Sequence, residues 1–335
     1  MNADRRSTGI KSLRRVLLSS ALVCVHLWLV SPAFAQEGDP EIVANLATGR
    51  ALFCVTKDGI VLAAVSNAPA NDPDAHAPAV VELSGGRIAI LLGAIEWVQP
   101  VSGRDPVRLD YELPRLLRGA GAEAPKMAEE GVATDIEAMG VQLLERLRVV
   151  AGNLHRKIDF RPDEPLLELI LAGNVPNYGF EVWRISYRIA QDPLRGEFWR
   201  TRVLRPQILQ LYPPEKGQPR SIIEVVYPAD DPGPSLAALL TSADPRLSRI
   251  RSGDKETARA VEKIAGGESH KTESAPAATY LRAALAAVLP QDAPLVFGVL
   301  GERTGITWAL APPEQPDKGA EPSEPGAPTL RKRKP

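Results

Sequence analysis

The sequence feature that most constrains the fold is a long helix with a single apolar side. Its apolar residues recur at steps of three and four positions, the spacing that places side chains on one helical face. Thr134 and Glu137 fit a capping box at its start. Because only one side is apolar, we expect this helix to lie on a β-sheet. The residues of the stripe are Ile136, Met139, Leu143, Leu147, Val150 and Leu154.

Short apolar runs separated by turn residues precede this helix and predict β-strands. Asp58-Gly59 and Ser84-Gly85-Gly86 join two pairs of runs, and Asp-Gly between apolar runs is a strong hairpin signal. We therefore expect a four-stranded antiparallel unit, preceded by a lead segment at 36–47. Residues 98–132 predict no clear element, because they contain Pro100, Pro106, Pro114 and a Gly/Ala-rich piece at 119–125. The four predicted strands are 50–56, 60–65, 79–83 and 87–92.

Strands and helices also follow the central helix, and this order defines the fold class. The order is that of an α+β protein. Two packed sheets with helices outside each of them, a four-layer αββα sandwich, would account for it. An α+β domain with one sheet is the alternative, and periodicity alone does not choose between them. The later strands are predicted at 166–172, 180–189, 198–204, 208–212, 222–227, 295–300 and 304–309. The later helices are predicted at 235–242, 255–265 and 277–289.

The two ends of the chain differ in composition from the middle. Residues 1–15 carry five basic side chains, an apolar run follows to Val30, and Ala33-Phe34-Ala35 has the spacing of a signal-peptidase site. We therefore expect a secretory signal peptide at 1–35, cleaved after Ala35, with an uncleaved membrane anchor as the alternative. Residues 312–335 are rich in Pro, Glu, Gly and Lys and predict a disordered tail. The folded domain is predicted at 36–311.

Charge and cysteine content exclude some classes of function. The chain has 40 basic and 41 acidic side chains, and loss of residues 1–35 would leave a net charge of −5. This acidity argues against nucleic acid as a partner, since that needs a basic surface. Cys54 would be the one cysteine of the exported protein, so no intramolecular disulfide is expected. Its apolar neighbours predict a buried, inert thiol.

One segment of the chain resembles a known family. Residues 55–66 read VTKDGIVLAAVS and are similar to the opening hairpin of proteasome β-type subunits, which belong to the N-terminal nucleophile (Ntn) hydrolases. Residues 80–83 and 87–94 resemble the next strand pair, and residues 167–189 a later hairpin. The helix and strands after Ala283 are similar to the closing elements. The resemblance covers about residues 50–310 and implies the four-layer αββα sandwich.

The resemblance also implies a chemistry. In this family an N-terminal Thr, exposed by self-cleavage, attacks a carbonyl, and its own α-amine accepts the proton. That amine suits the work because its pKa, about 7.7–8.0, lies near working pH. A carboxylate and a Lys tune the amine, and backbone N–H groups hold the oxyanion.

The positions that would carry this chemistry are mostly replaced here. The nucleophile position falls at Gly49, and Thr48 is one residue away, in the order Ala47-Thr48-Gly49. Val65 stands where the tuning carboxylate belongs, and Ala79 lies near the place of the Lys. We therefore predict no catalytic residue, no metal and no cofactor.

Two further family positions are matched by single residues. Gly93 matches the turn that lines the oxyanion site. Asp292 matches the supporting acid before the closing strands, but Pro294-Leu295 replaces the Ser-Gly-Gly that follows it in the family.

Other candidate residues lack partners at a readable spacing. His76 lies near Asp72 and Asp74, which suggests metal ligands, although an acidic loop is commonly just solvated. His155 follows the central helix, where a cation complements the helix dipole, and His270 lies in a polar linker. Trp97, Trp183, Trp199 and Trp308 are expected in the core or on a binding face.

These observations predict an exported protein, periplasmic or extracellular, with a proteasome-like fold. We expect a pseudoenzyme that serves as a non-catalytic binding or assembly module, with a protein or peptide partner and possible homo-oligomers. Nucleic-acid binding and a stable membrane span after signal cleavage are not expected. The alternatives are an exported Ntn-type amide hydrolase or peptidase with an altered nucleophile at Thr48, and an unrelated secreted α+β domain.

Overall fold

A computed structural model describes residues 42–67, 76–101, 104–129, 135–160, 164–175, 178–195, 198–230, 233–302 and 304–312. The predicted signal peptide and its cleavage site lie outside these ranges, as do all but the first residue of the predicted tail. Thr134, Asp72 and Asp74 also lie outside them. No helix in these ranges has the length and apolar character needed to cross a bilayer.

The described chain combines antiparallel sheets with helices, which confirms the α+β class. The strands are β1 (Ile42–Ala47), β2 (Gly49–Val55), β3 (Gly59–Ser66), β4 (Ala79–Leu83), β5 (Arg87–Val101), β6 (Arg104–Glu112), β7 (Ile158–Asp159), β8 (Leu167–Val175), β9 (Gly179–Tyr187), β10 (Ile189–Pro193), β11 (Trp199–Val203), β12 (Gln207–Tyr212), β13 (Ile223–Tyr227), β14 (Leu295–Gly301) and β15 (Gly305–Leu310). The helices are α1 (Leu113–Glu129), α2 (Asp135–Gly152), α3 (Leu236–Thr241), α4 (Ser248–Arg251), α5 (Lys255–Ala265) and α6 (Ser274–Val288).

Two sheets carry most of the strands. The eight-stranded sheet has the order β12-β9-β8-β5-β1-β7, with β4 and β6 also paired to β5. Strand β5 has room for four neighbours because it is 15 residues long: its first half pairs with β4 and β8, and its second half pairs with β1 and β6. The five-stranded sheet has the order β13-β2-β3-β14-β15, and β10 and β11 form a separate ribbon.

Three apolar clusters show how these elements pack. In the first, α1 and α2 cover one face of the eight-stranded sheet, so that Met139 and Leu143 lie in one buried cluster with Leu169 and Ile185. In the second, the opposite face of that sheet packs on the five-stranded sheet. In the third, the outer face of the five-stranded sheet meets α5 and α6. Burial of side chains of this size contributes about 1.5–3 kcal/mol each, so these clusters hold the layers together.

The expectation for the central helix is confirmed. Ile136, Met139, Leu143 and Leu147 are buried on α2, and they lie against the eight-stranded sheet. The hydroxyl of Tyr187 on β9 donates to the carbonyl oxygen of Gly140 at 3.0 Å. A one-sided apolar stripe was therefore sufficient to place this helix on a sheet.

Two expectations about the first strands are wrong. Residues 42–47 are not a lead segment: they form β1, which pairs with β5, and Asn45 Nδ2 donates to Glu96 Oε2 at 2.9 Å. The four-stranded antiparallel unit is also not formed. Strands β2 and β3 belong to the five-stranded sheet, whereas β4 and β5 belong to the eight-stranded sheet. The reason is that β3 takes a neighbour distant in sequence, β14, instead of the next strand along the chain.

The segment at 98–132 contains elements that the sequence pattern hid. Strand β6 pairs with the second half of β5, and α1 follows it directly. Pro114 is tolerated because it lies in the first turn of α1, where a backbone N–H has no helical partner. A Cβ on Gly119 would lie 3.0 Å from the Arg146 guanidinium carbon, so this glycine marks the close approach of α1 to α2.

Candidate functional site

The nucleophile position implied by the family resemblance lies at the start of β2. Gly49 pairs with Ser66 on β3 and with Tyr227 on β13. A Cβ on Gly49 would fall against the carbonyl oxygen of Val65, far inside the 3.0 Å that real Cβ atoms keep, and 2.9 Å from Cγ of Pro78. Its φ of +153° is also rare for residues with a side chain. The position therefore has no room for an attacking hydroxyl.

Thr48 is an internal residue at the crossing between the two sheets. It joins β1 of the eight-stranded sheet to β2 of the five-stranded sheet. Its N–H donates to the carbonyl oxygen of His76 at 3.1 Å, and its carbonyl accepts from the N–H of Asn67 at 3.4 Å. A free α-amine at Thr48 would require cleavage of the peptide bond between Ala47, the last residue of β1, and Thr48.

A cleft of about 710 Å³ opens beside this position, between the two sheets. We call it the inter-sheet cleft, and Pro78 connects it to Gly49. Its described lining residues are Ala64, His76, Ala77, Pro78, Ala79, Val80, Val81, Glu82, Ile95, Arg118, Pro294, Leu295, Val296, Trp308, Ala311 and Pro312. None of them is Ser, Thr, Cys or Lys, so the described lining offers no hydroxyl or thiol nucleophile of these types and no amine.

The polar groups of the inter-sheet cleft lie at its rim. Glu82 is exposed, and it accepts a hydrogen bond at 2.6 Å from the indole Nε1 of Trp308. Arg118 reaches the cleft from α1, and His76 from the segment before β4. Apolar walls with a few polar groups at the mouth are suited to burying an apolar group of a ligand.

The positions that would tune an Ntn nucleophile are occupied by apolar residues. Val65 is buried, and it packs in the cluster between the five-stranded sheet and the helices beyond it. A carboxylate there would point away from the inter-sheet cleft, which is lined by the preceding residue, Ala64. Ala79 lines the cleft but carries no charge.

The backbone around Gly93 contacts the residue that precedes β8 and is hydrogen-bonded to it. A Cβ on Gly93 would lie 2.5 Å from the carbonyl oxygen of Leu166, and the φ of Gly93 is +94°. The N–H of Ala94 donates to that same oxygen at 2.8 Å. A glycine is needed at position 93 because the chain entering β8 approaches closely there. The N–H of Ala94 already donates within the sheet, so it is not free to hold an oxyanion.

The segment before β14 departs from the family in the same way. Asp292 is exposed, and Pro294 has no N–H to offer. The carbonyl of Pro294 instead accepts from the N–H of Ser66 at 3.1 Å. The site implied by the resemblance therefore has neither a nucleophile nor the donors that would hold an oxyanion at these positions.

The remaining sequence candidates fall at separate places. The prediction of a buried Cys54 is confirmed, and burial raises the pKa of its thiol to about 12, against a smaller lowering by the hydrogen bond with Ser269.

Trp97 is buried and stacks on Tyr111 with ring centroids 4.0 Å apart. His155 is exposed beyond the end of α2, and His270 lies in a short 3₁₀ turn. The described ranges contain no group of three or more His, Cys, Asp or Glu side chains that could hold a metal ion.

Sequence reasoning missed two ionic clusters inside the fold, of which the first joins β2, β13 and α3. Arg50 and Glu224 form an ion pair at 2.8 Å, with side chains 7% and 8% exposed. Glu224 also accepts from Ser235 Oγ and from the N–H groups of Leu236 and Ala237. Burial by itself would raise the pKa of Glu224, but these hydrogen bonds outweigh it and lower the pKa below its ordinary value. A carboxylate with this many donors is structural.

The second cluster lies on the face of the eight-stranded sheet that meets the other sheet. Glu168 on β8 is 1% exposed and accepts from Ser186 Oγ at 2.7 Å and from Arg184 Nε at 2.9 Å. The hydrogen bond to Glu168 raises the pKa of Arg184. The signal in the sequence was one acid inside an otherwise apolar run, LLELILA.

Comparison with models of known protein families finds no match, and comparison with curated proteins finds none either. The proteasome-like resemblance therefore rests on the hairpin at 55–66 and on the order of the elements. Whether the resemblance extends to hydrolytic chemistry depends on the geometry around Gly49.

Proposed function

We propose that this chain is an exported protein with a proteasome-like fold that binds a partner and does not hydrolyse peptides. The three apolar clusters support a four-layer αββα sandwich of the Ntn type, because they follow the order helices, sheet, sheet, helices. The β2–β3 hairpin, which carries the family-like motif, lies inside the five-stranded sheet with neighbours on both sides.

The observation that carries the lack of hydrolysis is the contact geometry at Gly49. A side chain there would meet the backbone of β3, and backbone within a paired strand cannot move aside as a flexible side chain can. Catalytic groups that act as a unit lose orders of magnitude in rate when one of them is removed. Here the nucleophile, the carboxylate and the Lys are all replaced.

The binding role is supported by the inter-sheet cleft. It has a volume of about 710 Å³ and apolar walls, and its described lining contains no Ser, Thr, Cys or Lys. Pockets of this size and lining bind ligands by burying apolar surface. We expect its occupant to be an apolar side chain of a partner protein or peptide, or of a second copy of this chain.

The test is the N-terminus of the exported protein together with a peptidase assay. We expect intact-mass analysis of the protein from an exporting host to give Gln36 as the first residue. Fluorogenic peptides should then be hydrolysed no faster by the natural protein than by Thr48→Ala. A protein that begins at Thr48 and cleaves peptides, with both properties lost in Thr48→Ala, would make this an Ntn hydrolase and overturn the proposal.

A further inference from the structure

We propose that the start of strand β12 and the arginine-lined cleft beside it bind an extended, acidic segment of a partner protein. This site shares no residue with the inter-sheet cleft. A failure of this proposal therefore leaves the proposed lack of hydrolysis untouched, and the reverse also holds.

The cleft lies between the C-terminal end of α2 and the β10–β11 ribbon, and we call it the arginine cleft. It encloses about 710 Å³. Its described lining residues are Arg148, Gly152, Leu154, His155, Leu194, Arg200, Thr201, Arg202, Val203, Leu204 and Arg205. None of them is acidic, although acids slightly outnumber bases in the whole chain. The cleft is therefore a local concentration of positive charge.

Two of its arginines have no compensating charge within the described ranges. Arg148 pairs with Glu145 at 2.7 Å, and Arg202 pairs with Asp192 at 2.8 Å. The exposed guanidinium groups of Arg200 and Arg205 make no ion pair or hydrogen bond with the described residues. Guanidinium groups bind carboxylates through paired, charge-assisted hydrogen bonds, so these two side chains can receive the acids of a partner.

The wall that carries these arginines is held in place. The N–H of Trp199 donates to the carbonyl oxygen of His155 at 2.8 Å, which ties the ribbon to the end of α2. Within the ribbon, Gln191 Nε2 donates to Thr201 Oγ1 at 2.7 Å. A binding wall that is already ordered loses less entropy when a ligand arrives.

The chain runs from Arg205 through Pro206 directly into β12, which is an edge of the eight-stranded sheet. The backbone of β12 pairs with β9, and no described residue bonds its other side. In an antiparallel pair, alternate residues direct their N–H and C=O groups away from the neighbour, so an edge strand can accept another strand. Ile208 and Leu209 are 36% and 52% exposed at this edge.

The charge of the site selects its occupant. An extended segment could bond the free edge of β12, cover Leu209 and place carboxylates near Arg200 and Arg205. A second copy of β12 would not supply them, because its sequence, QILQLY, contains no acid. A lipid surface fits less well, because these arginines line a concavity and a bilayer is broad. The occupant is therefore an acidic strand of another protein.

The test uses a fluorescein-labelled peptide of alternating Glu and Val, about six residues long, which is a typical strand length. Binding is measured by fluorescence anisotropy to the full exported chain. We expect saturable binding that R200E/R205E weakens by roughly tenfold or more, since charge-assisted contacts are lost and repulsion is added. R259E/R282E changes the same charge at exposed sites on α5 and α6 and should change affinity by less than about twofold.

Two further measurements make the outcome decisive. Hydrogen exchange should slow at 207–210 when the peptide binds, and a peptide with Gln in place of each Glu should bind more weakly. If R200E/R205E has an altered melting curve, R200A/R205A is used in its place. Equal loss in R259E/R282E, no added protection of β12, or binding confined to phosphatidylglycerol vesicles each overturns the proposal.

Discussion

The two clefts have the same volume, about 710 Å³, and opposite chemistry. The inter-sheet cleft has apolar walls, and Pro78 connects it to Gly49, where an added side chain would meet the backbone of β3. The arginine cleft is lined by two arginines, Arg200 and Arg205, that pair with no acid among the described residues. Volume alone therefore does not indicate function in this molecule, and the side chains that line each cleft do.

The difference follows from where each cleft lies in the fold. The inter-sheet cleft is built from strands that the core holds on both faces, so its residues were fitted to packing. The arginine cleft is built on a ribbon outside both large sheets, where side chains are free to carry charge. Substitutions of the buried strand residues behind the inter-sheet cleft should mainly change the free energy of unfolding. Substitutions in the arginine cleft should mainly change binding.

The largest effect is expected from Gly49→Thr, which would place a hydroxyl at the position where the family resemblance implies the nucleophile. The new Cβ would collide with the backbone of β3, so we expect a loss of about 4 kcal/mol or more in the free energy of unfolding, or no soluble protein. Gly85→Thr is the control, because Gly85 also has a positive φ, +76°, but open space around it. It should cost only about 1–2 kcal/mol. Urea unfolding compares them, and equal costs would remove the steric argument for a closed site.

A smaller but clear loss is expected from Glu168→Ala in the layer between the sheets. The change leaves the guanidinium of Arg184, which is 33% exposed, without its buried partner, and loss of a hydrogen bond to a charged group typically costs about 1.5–3 kcal/mol. Glu145→Ala removes the exposed partner of Arg148 beside the arginine cleft and should cost less than about 1 kcal/mol. Thermal unfolding of both variants measures the contrast. Similar values would mean that the two regions do not differ in the way described above.

Much of the fold was predictable where a local signal had one meaning. The apolar stripe of α2 and the Asp58-Gly59 turn are examples, and both elements are present. The α5 helix begins and ends where the sequence predicts, because Asp254 caps its first N–H groups. In contrast, β1 has a short, mixed sequence, and its pairing with β5 bridges about 50 residues. No local pattern carries that information.

The candidate site was predictable only in part. That Gly49, Val65 and Ala79 stand at the positions of the nucleophile, the acid and the Lys follows from the family resemblance, and it stays a prediction. The arginine cleft could not be predicted, because its cations come from α2 and from the ribbon and meet only in the tertiary fold. Likewise, Glu168 is visible in the sequence, but its partner Arg184 is not, until the β8–β9 register is known.

A smaller effect on the free energy of unfolding is expected when the pH is lowered and Glu224 becomes protonated. Because the folded state lowers the pKa of Glu224, its contribution to stability is complete above the ordinary carboxyl value. That contribution is lost as the pH falls through the lower, folded value. The free energy of unfolding of Glu224→Gln should therefore fall less steeply than that of the natural protein between about pH 5 and about pH 2. Exposed Glu262→Gln is the control. A parallel slope in Glu224→Gln would show that this carboxylate is not coupled to folding.

The smallest effect is expected at the rim of the inter-sheet cleft. Glu82→Gln keeps an acceptor for the indole of Trp308 but removes the charge from an exposed hydrogen bond, so stability should change by less than about 0.5 kcal/mol. Trp308 fluorescence should shift, because the charge beside the indole is gone. If the same substitution instead destabilised the protein as strongly as Glu168→Ala, the rim would be part of the packed core. The inter-sheet cleft would then not be an open binding surface, and the contrast with the arginine cleft would reduce to one of charge alone.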